Sequence, residues 1–291
     1  MNLLREKSII AVVGATSDVG RRVVSRLHSM NYQVRPISRH HGVSMDDPIA
    51  LQRALDGVRA AYVMIPFDPA AADLHAREDQ IGRHLADALN ATRPQRVVLL
   101  SGLNAHMRKG SSLGAALMEQ RLDSLDLPER IYLRAGFFME NFLKGLAFAP
   151  QAETGVFATP FRGDRPMPLV SANDVSEKVV ELVTNIAMPP SRVVELHGAA
   201  DYTFVEATRI LGEAIGRPNT RYQEVSPADA LTGMIAAGMS RSFAEAVMVT
   251  AASFNANEQW SLEPRSAGTS RPTRLETWAR TAFGGSRVSV E

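Results

Sequence analysis

The sequence predicts an α/β fold, a doubly wound parallel sheet with a small, mainly helical lobe at the C-terminal end. Short apolar runs of strand length alternate with longer segments of helical spacing over about the first two hundred residues, which is typical of parallel βαβ units. After about residue 200, helical segments follow one another around a single extended connection. The change in pattern indicates a second, smaller part of the molecule.

The chain opens with the most informative element, a strand, a turn and a helix. The unbroken apolar run Ile9–Val13 indicates a strand buried on both faces. Gly14 permits a sharp turn, and Gly20 lets a helix over residues 20–30 pack close to that strand. The first helical amides then face outward, where the helix dipole attracts anions such as a diphosphate. Turns of this kind also occur without any ligand, so the turn alone does not establish a site.

The later elements follow in order. Further strands are predicted over residues 34–38, 60–65 (a third or fourth strand), 96–100, 131–134 and 192–196, and helices over 48–56, 72–92 and 174–184, the last capped by Asn173 or Asp174. The lobe contains helices over 204–215, 228–239, 241–252 and 275–283, and a surface loop over 263–271. We therefore expect a core over residues 1–150 with further core elements at about 168–200, and a lobe over 151–167 and 201–291 that covers the C-terminal ends of the strands.

Composition excludes several classes of function. Lys and Arg number 32 against 31 Asp and Glu, so a net charge of +1 gives no electrostatic basis for binding nucleic acid or an anionic membrane. The absence of cysteine excludes disulfides and thiolate chemistry. We expect a cytoplasmic protein, because neither a signal-peptide pattern nor an apolar run of membrane-spanning length is present. No sequence pattern specifies an interface between subunits, so a homodimer stays open.

Arg39 follows the second predicted strand, where NAD-binding proteins carry an acidic residue for the ribose hydroxyls. An arginine at this position favours a 2′-phosphate through a charge-assisted contact, which predicts NADP(H) over NAD(H). The competing interpretation is a solvated surface arginine. His40 and His41 are expected to be loop residues, and no metal site is predicted, because no third ligand stands at a suitable spacing.

Several segments in order along the chain resemble the NmrA-like branch of the atypical short-chain dehydrogenases/reductases, and within it bacterial relatives of ergot-alkaloid-type reductases. These segments are GATSDVG, DDPIALQRALDGVRAAYVMIP, RVVLLSG, YLRAGFFMENFL, PLVSANDVSEKVVELV and TFVEATRILGEAIGRP. The resemblance implies a Rossmann-type domain that binds NAD(P)H and a C-terminal substrate lobe. The family includes reductases of quinones, imines and similar small molecules, and also redox sensors that bind the dinucleotide without turnover.

The resemblance also assigns site residues by position. Residues at the pyrophosphate would be Gly14, Thr16, Ser17, Asp18, Val19 and Gly20, with Arg39 at the 2′-phosphate. Residues along the rest of the dinucleotide would be Ile65, Pro66 and Phe67 after the family's fourth strand, and Ser101 and Gly102 under the nicotinamide at the end of its fifth. The substrate pocket would be flanked by Phe137 and Phe138, with Met139 and Asn141 lining or supporting it. Without the family, these aromatic residues are equally consistent with ordinary core packing.

The sequence departs from the family pattern at several positions. Ser17 stands where the middle glycine of GxxGxxG usually lies, Ser44 where many relatives carry an adenine-contacting Asp, and Ala135 where a Pro is usual. More importantly, the helix after Ser101, within GSSLGAALMEQRL, lacks the Tyr-x-x-x-Lys pair of catalytic family members. In those enzymes the lysine lowers the pKa of the tyrosine, which then passes a proton. A reduction in this protein must obtain its proton elsewhere.

The candidate catalytic residues are Ser101 at the strand end and Asn104 and His106 in the following loop. A histidine is suited to donating a proton near neutral pH, although His106 is more simply interpreted as an exposed loop residue. Four further groups are more simply structural or solvated: Lys109, Glu140, Tyr132, and the methionines 234, 239 and 248.

Two functions from different classes remain at this point. The first is an NADPH-dependent oxidoreductase that transfers hydride to a small, electron-poor acceptor such as an imine, a quinone or an enone, for which a missing tyrosine matters less than for a ketone. The second is a non-catalytic NADP(H)-binding redox sensor or regulatory protein. A third alternative is a vestigial turn that binds no cofactor.

Overall fold

The computed structural model describes residues 8–185, 187–189 and 191–284; the ends of the predicted core and lobe at 1–7 and 285–291 lie outside these residues. The strands in the described chain are β1 (Ile9–Val13), β2 (Gln33–Ile37), β3 (Ala60–Met64), β4 (Arg96–Gly102), β5 (Glu129–Ala135), β6 (Phe137–Phe138), β7 (Val156–Thr159), β8 (Met167–Val170), β9 (Val193–Leu196), β10 (Asp201–Tyr202) and β11 (Arg221–Glu224). The α-helices are α1 (Asp18–Ser29), α2 (Pro48–Leu55), α3 (Leu74–Thr92), α4 (Leu113–Ser124), α5 (Phe148–Ala152), α6 (Ala172–Thr184), α7 (Phe204–Ala214), α8 (Pro227–Ala236), α9 (Arg241–Asn255) and α10 (Leu275–Gly284).

The core of the fold is a six-stranded sheet in the order β2-β1-β3-β4-β5-β9, and every pair in it is parallel. The strand order reverses between β1 and β3, so the loops after these strands leave in opposite directions and open a crevice at the carboxyl end of the sheet. The α/β prediction is confirmed. The crevice lies where the glycine-bearing turn follows β1.

Both faces of the sheet are covered by helices, which explains the continuous apolar strands. One face packs against α1 and α6 through residues that include Val23 and Val179, and the other against α2, α3 and α4 through residues that include Leu51, Leu85 and Met118. None of the described helices is long and apolar enough to cross a membrane.

The predicted third-or-fourth strand is the third, because no strand forms between β2 and β3. The Ser44 hydroxyl accepts from the Asp46 amide at 3.2 Å, and the Asp47 carboxylate caps α2 by accepting from the amides of Ile49 and Ala50. These local bonds turn the chain directly into α2.

The predicted start of α6 is corrected by two residues. Ser171 is the N-cap, with its hydroxyl accepting from the Asp174 amide at 3.1 Å, so neither Asn173 nor Asp174 performs this role. The Asp174 carboxylate instead accepts from the hydroxyl of Thr273 at 2.7 Å. Serine and aspartate are both good cap residues, and the tertiary contact with Thr273 decides between them.

The lobe is built around aromatic residues from the second half of the chain. Phe161 and Phe204 stack with ring centroids 5.1 Å apart, and Phe148 contacts Phe157 edge-on at 4.9 Å. Two small sheets, β10-β8-β6 and β11-β7, frame this cluster. The sequence indicated only an extended connection where β11 lies, because strands of two to four residues carry too little periodicity to recognise.

The predicted surface loop over 263–271 lies at the surface but is fixed to the edge of the main sheet. The Glu195 carboxylate at the end of β9 is 1% exposed and accepts from the Ser261 hydroxyl at 2.6 Å and from the Leu262 and Glu263 amides at 3.0 and 2.9 Å. His197 forms a backbone bridge with Ser270. This anchored segment brings the lobe to the carboxyl end of β9.

Candidate functional site

The turn after β1 requires glycine at both ends. Gly14 has a φ of +76°, a left-handed conformation that favours glycine, and a Cβ there would lie 2.9 Å from Met64 Sδ. A Cβ on Gly20 would lie 2.2 Å from the Gly14 carbonyl oxygen, much closer than atoms can approach. The close contact of α1 with the turn therefore depends on Gly20.

Ser17 has a structural reason to replace the family's middle glycine. It is the N-cap of α1, and its hydroxyl accepts from the Gly20 amide at 3.0 Å. The Ser17 amide itself bonds to the Gly14 carbonyl at 2.9 Å. Among the described residues, three amides at this helix start have no hydrogen-bond partner, those of Thr16, Asp18 and Val19. Together with the helix dipole they can bind an anion.

Asp18 places a carboxylate at this same helix start, and three cations offset its charge. Lys144, Arg21 and Arg22 approach the carboxylate oxygens to 2.7, 3.2 and 3.9 Å. Burial alone would raise the pKa of Asp18, but the bonds to Lys144 and Arg21 outweigh it and hold the pKa below its ordinary value. The carboxylate is ionised at neutral pH, and its surroundings carry a net positive charge.

Arg39 begins a short 3₁₀ turn, Arg39–His41, directly after β2. The amide of Gly14 bonds to the Ile37 carbonyl at 2.9 Å, so Arg39 lies two residues from a contact with the turn after β1. Its side chain is exposed and has no ion pair or hydrogen bond to the residues that the structure describes. His41 contacts the Ser38 hydroxyl at 2.8 Å, and no group of metal-binding side chains occurs in the described ranges.

The segment after β3 forms a wall between the sheet and the lobe. Ile65 and Pro66 are half-buried, and the ring of Phe67 lies 4.3 Å from that of Phe243 on α9. The Ser240 amide donates to the Pro69 carbonyl at 2.8 Å, which fixes the same contact through the backbone. The three residues predicted to run beside the dinucleotide thus lie at an edge of the cleft that the lobe covers.

Ser101 at the end of β4 belongs to a buried polar network. Its hydroxyl donates to Glu119 on α4 at 2.6 Å, and Arg134 on β5 donates twice to the same carboxylate, at 3.0 and 2.6 Å. The three residues are only 5–7% exposed. The Ser101 proton is therefore already bound. Sequence reasoning missed Glu119 and Arg134. A charged residue within a buried strand, as Arg134 is in β5, was a feature of the sequence that could have indicated them.

Asn104 is 5% exposed and lies at the beginning of the loop after β4. Its side-chain oxygen accepts from the Ser112 hydroxyl at 2.6 Å. Gly102 makes this contact possible, because a Cβ there would lie 2.3 Å from the Ser112 oxygen. The structure thus joins two residues predicted at the site, Asn104 and Gly102, through a serine that sequence reasoning had not singled out.

The lobe fixes the rest of this loop. His106 Nε2 lies 3.0 Å from the Gln259 carbonyl, and because a carbonyl only accepts, Nε2 carries a proton that it donates there. His106 Nδ1 is enclosed and has no partner in the described part of the chain. Lys109 pairs with Glu258 at 2.5 Å. Both residues considered as proton donors are already engaged with the lobe.

The aromatic segment after β5 is divided between the lobe and the sheet. Phe137 is half-buried within 6.0–6.4 Å of three other phenylalanine rings, whereas Phe138 packs against the core of the sheet. Met139 is fully buried, so it supports the segment and lines no opening in this structure. Asn141 is half-buried. Phe137, Phe138 and Asn141 retain surface that a ligand can reach.

Glu140 and Tyr132 have structural partners. The Glu140 carboxylate accepts from the Ala172 amide at 2.9 Å and from the Trp278 ring nitrogen at 3.2 Å, and burial raises its pKa. The Tyr132 hydroxyl donates to Asp123 at 2.7 Å, and burial raises the pKa of this tyrosine as well. Glu140 joins α6 and α10, which stabilises the packing of the lobe on the sheet.

The strand-order reversal and the glycine-bearing turn after β1 define an α/β protein of the Rossmann type. The chain belongs to the NmrA-like family, whose sequence profile matches residues 6–279. The resemblance seen in the sequence is confirmed.

Three known proteins show what the chain is similar to. A Bacillus subtilis protein named uncharacterized oxidoreductase YesF is 26% identical over 254 residues, which cover 83% of this chain and 82% of that one. A (4-alkanoyl-5-oxo-2,5-dihydrofuran-3-yl)methyl phosphate reductase of Streptomyces griseus is 27% identical over 78% of this chain and 81% of its own. The crystal structure of an Escherichia coli NADPH-dependent quinone oxidoreductase complexed with NADPH is 21% identical, with a TM-score of 0.71 over 94% of this chain and 99% of that one.

Proposed function

We propose that this protein is an NADPH-dependent oxidoreductase that transfers hydride to a small, electron-poor acceptor, an imine, a quinone or an enone. The observation that carries the proposal is the set of amides at Thr16, Asp18 and Val19 that have no partner among the described residues, together with Arg39 directly after the neighbouring strand β2. Family membership supports the same class of function. So do the names of the relatives, which are oxidoreductases or reductases both among the similar sequences and among the similar solved structures.

The residues present fit NADP(H). The amides after Gly14 would bind the diphosphate, and Gly20 allows the close packing of α1 on the turn that carries them. Arg39 would bind the 2′-phosphate, because its planar guanidinium cation is suited to a phosphate group. Ser101 and Gly102 would lie under the nicotinamide. When bound, the cofactor would supply the hydride.

The chain's own contribution would be orientation and the exclusion of water. Phe137 and Phe138 would form an apolar wall beside the reacting atoms, and Phe67 and Phe243 would close the opposite side. No Tyr-x-x-x-Lys pair is available, because α4 contains neither a tyrosine nor a lysine. Since Ser101 and His106 already donate their protons within the protein, an acceptor that is electron-poor before reduction suits the site.

One observation favours the second candidate, a dinucleotide-binding sensor. The loop over residues 104–112 is bound to the lobe at several points: Ser111 contacts Thr250 at 2.8 Å, and Lys109 contacts Glu258. A loop held in this way could transmit cofactor binding to the lobe without catalysis. The cytoplasmic location and a homodimer stay predictions.

The two candidates are separated by a turnover assay. The protein is incubated with NADPH and a series of cyclic imines, quinones and enones, and the absorbance of the reduced nicotinamide is followed. Oxidation of NADPH with at least one acceptor class is expected, and the Gly20→Ala variant should need a higher NADPH concentration to reach the same rate. Tight NADPH binding without oxidation by any acceptor would favour the sensor, and absence of binding would contradict both.

A further inference from the structure

We propose that the side-chain amide of Asn104 donates a hydrogen bond to the oxygen of the acceptor, so that the site is built for carbonyl acceptors, quinones and enones, more than for imines. This inference rests on the proposed function and assigns the substrate class within it. It also gives Ser112 a role, as the positioning residue that holds the Asn104 amide in one orientation.

The side-chain amide of Asn104 is held in one orientation. The Asn104 oxygen accepts from the Ser112 hydroxyl at 2.6 Å, so the oxygen end of the amide faces Ser112 and the nitrogen is the other end. Among the described residues this nitrogen has no hydrogen-bond partner, and it is not enclosed, unlike His106 Nδ1. A buried side chain with one end fixed and a free N–H group at the other is a preorganised donor.

The structure around Ser112 favours its hydrogen bond to Asn104. Ser112 occupies the N-cap position of α4, where a serine hydroxyl normally accepts from a helix amide, yet it makes no such bond. The Glu78 side chain from α3 packs against the first turn of α4 at Gly114, where a Cβ would lie 2.5 Å from Glu78 Cδ. Gly102 removes the Cβ that would displace the Ser112 oxygen. Ser112 thus bonds to Asn104 in place of a helix amide, and Gly102 leaves room for this bond.

Two of the three candidate donors already donate their protons within the protein. The Ser101 proton is bound by Glu119, whose charge is held by Arg134. His106 Nε2 donates its proton to the Gln259 carbonyl, and His106 Nδ1 is enclosed. Of the three residues predicted as catalytic, Asn104 alone keeps an accessible N–H in the described structure.

The chemistry then selects the acceptor. A quinone or enone that receives a hydride from NADPH gains two electrons and one proton, and NADP⁺ is left. The acceptor's oxygen becomes negatively charged, and water protonates it afterwards. An amide N–H stabilises that charge as it develops without transferring a proton. A protonated imine loses its positive charge when it takes up hydride, so the same donor contributes nothing to its reduction.

The test compares two acceptors in matched variants. Asn104→Asp keeps the size of the side chain and removes the N–H donor, and it should lower kcat with benzoquinone about 100-fold. With a cyclic iminium cation, kcat should not fall. Ser112→Ala should lower kcat with benzoquinone about 10-fold and leave KM unchanged. Ser124→Ala removes a hydroxyl from the same helix that bonds only to Arg121 within α4, and it should retain wild-type kcat.

A binding measurement gives a readout that does not depend on turnover. The para-nitrophenolate anion carries the charge that the acceptor's oxygen develops, and it should bind the NADP⁺-loaded wild type about 10-fold more tightly than Asn104→Asp. NADPH affinity, measured on both proteins, should be equal and shows that the variant folds. Equal losses with both acceptors, or no loss with either, would overturn the inference. A wild type that binds NADPH but oxidises it with no acceptor would instead overturn the proposed function.

Discussion

Glu119 offers the sharpest test of how the centre of the molecule is stabilised. Its carboxylate is 7% exposed and accepts from the Ser101 hydroxyl and twice from Arg134. The Glu119→Gln variant keeps the shape but removes the carboxylate that bonds directly to the buried Arg134 cation, which leaves only the Glu195 charge on the neighbouring strand. Removing one partner of a buried ion pair costs about 3–5 kcal/mol. This loss is a large part of a total stability of about 5–15 kcal/mol.

The assay is equilibrium unfolding in urea, with two comparison variants. Glu213→Gln breaks an ion pair of similar length, 2.8 Å to Arg209, whose side chains are 53% and 61% exposed, and it should cost less than about 1 kcal/mol. The double variant Glu119→Leu/Arg134→Met should recover much of the loss, because apolar residues of similar size need no counter-charge. Equal effects of Glu119→Gln and Glu213→Gln would refute the reasoning.

Two further outcomes are expected. Gly20→Ala places a Cβ 2.2 Å from the Gly14 carbonyl and should weaken NADPH binding at least about 10-fold in calorimetry, whereas Gly233→Ala, where a Cβ meets nothing within 4 Å, should bind normally. Burial lowers the pKa of His197 below 6.5, so the folded protein binds fewer protons than the unfolded chain and loses stability as the pH falls through 6.5; His197→Gln should flatten the dependence of the unfolding free energy on pH, and an unchanged slope would contradict this.

Sequence patterns predicted the main sheet because each strand can be recognised from the consecutive residues of its own segment. A buried parallel strand is an unbroken apolar run, and β1 and β4 show it directly. The requirement for glycine at positions 14 and 20 is also local, since it follows from the path of one turn. These features needed no knowledge of distant residues.

The chemistry at the end of β4 could not be predicted in the same way. Glu119 lies 18 residues from Ser101, on a helix where a glutamate ordinarily faces solvent. The partner of Asn104 is Ser112, a serine that sequence reasoning had not singled out. In both cases the decisive contact joins separate elements, and the residue types alone favour the simpler interpretation. The cofactor-binding and catalytic assignments stay predictions.

The most direct test of the account is a calorimetric titration of the wild type and Arg39→Met with NADPH and NADH. The account predicts that the wild type binds NADPH at least about 10-fold more tightly than NADH, through a charge-assisted contact with the 2′-phosphate. Arg39→Met should lose this preference while its affinity for NADH stays unchanged. Equal affinity of the wild type for both dinucleotides, or binding of neither, would contradict the central claim.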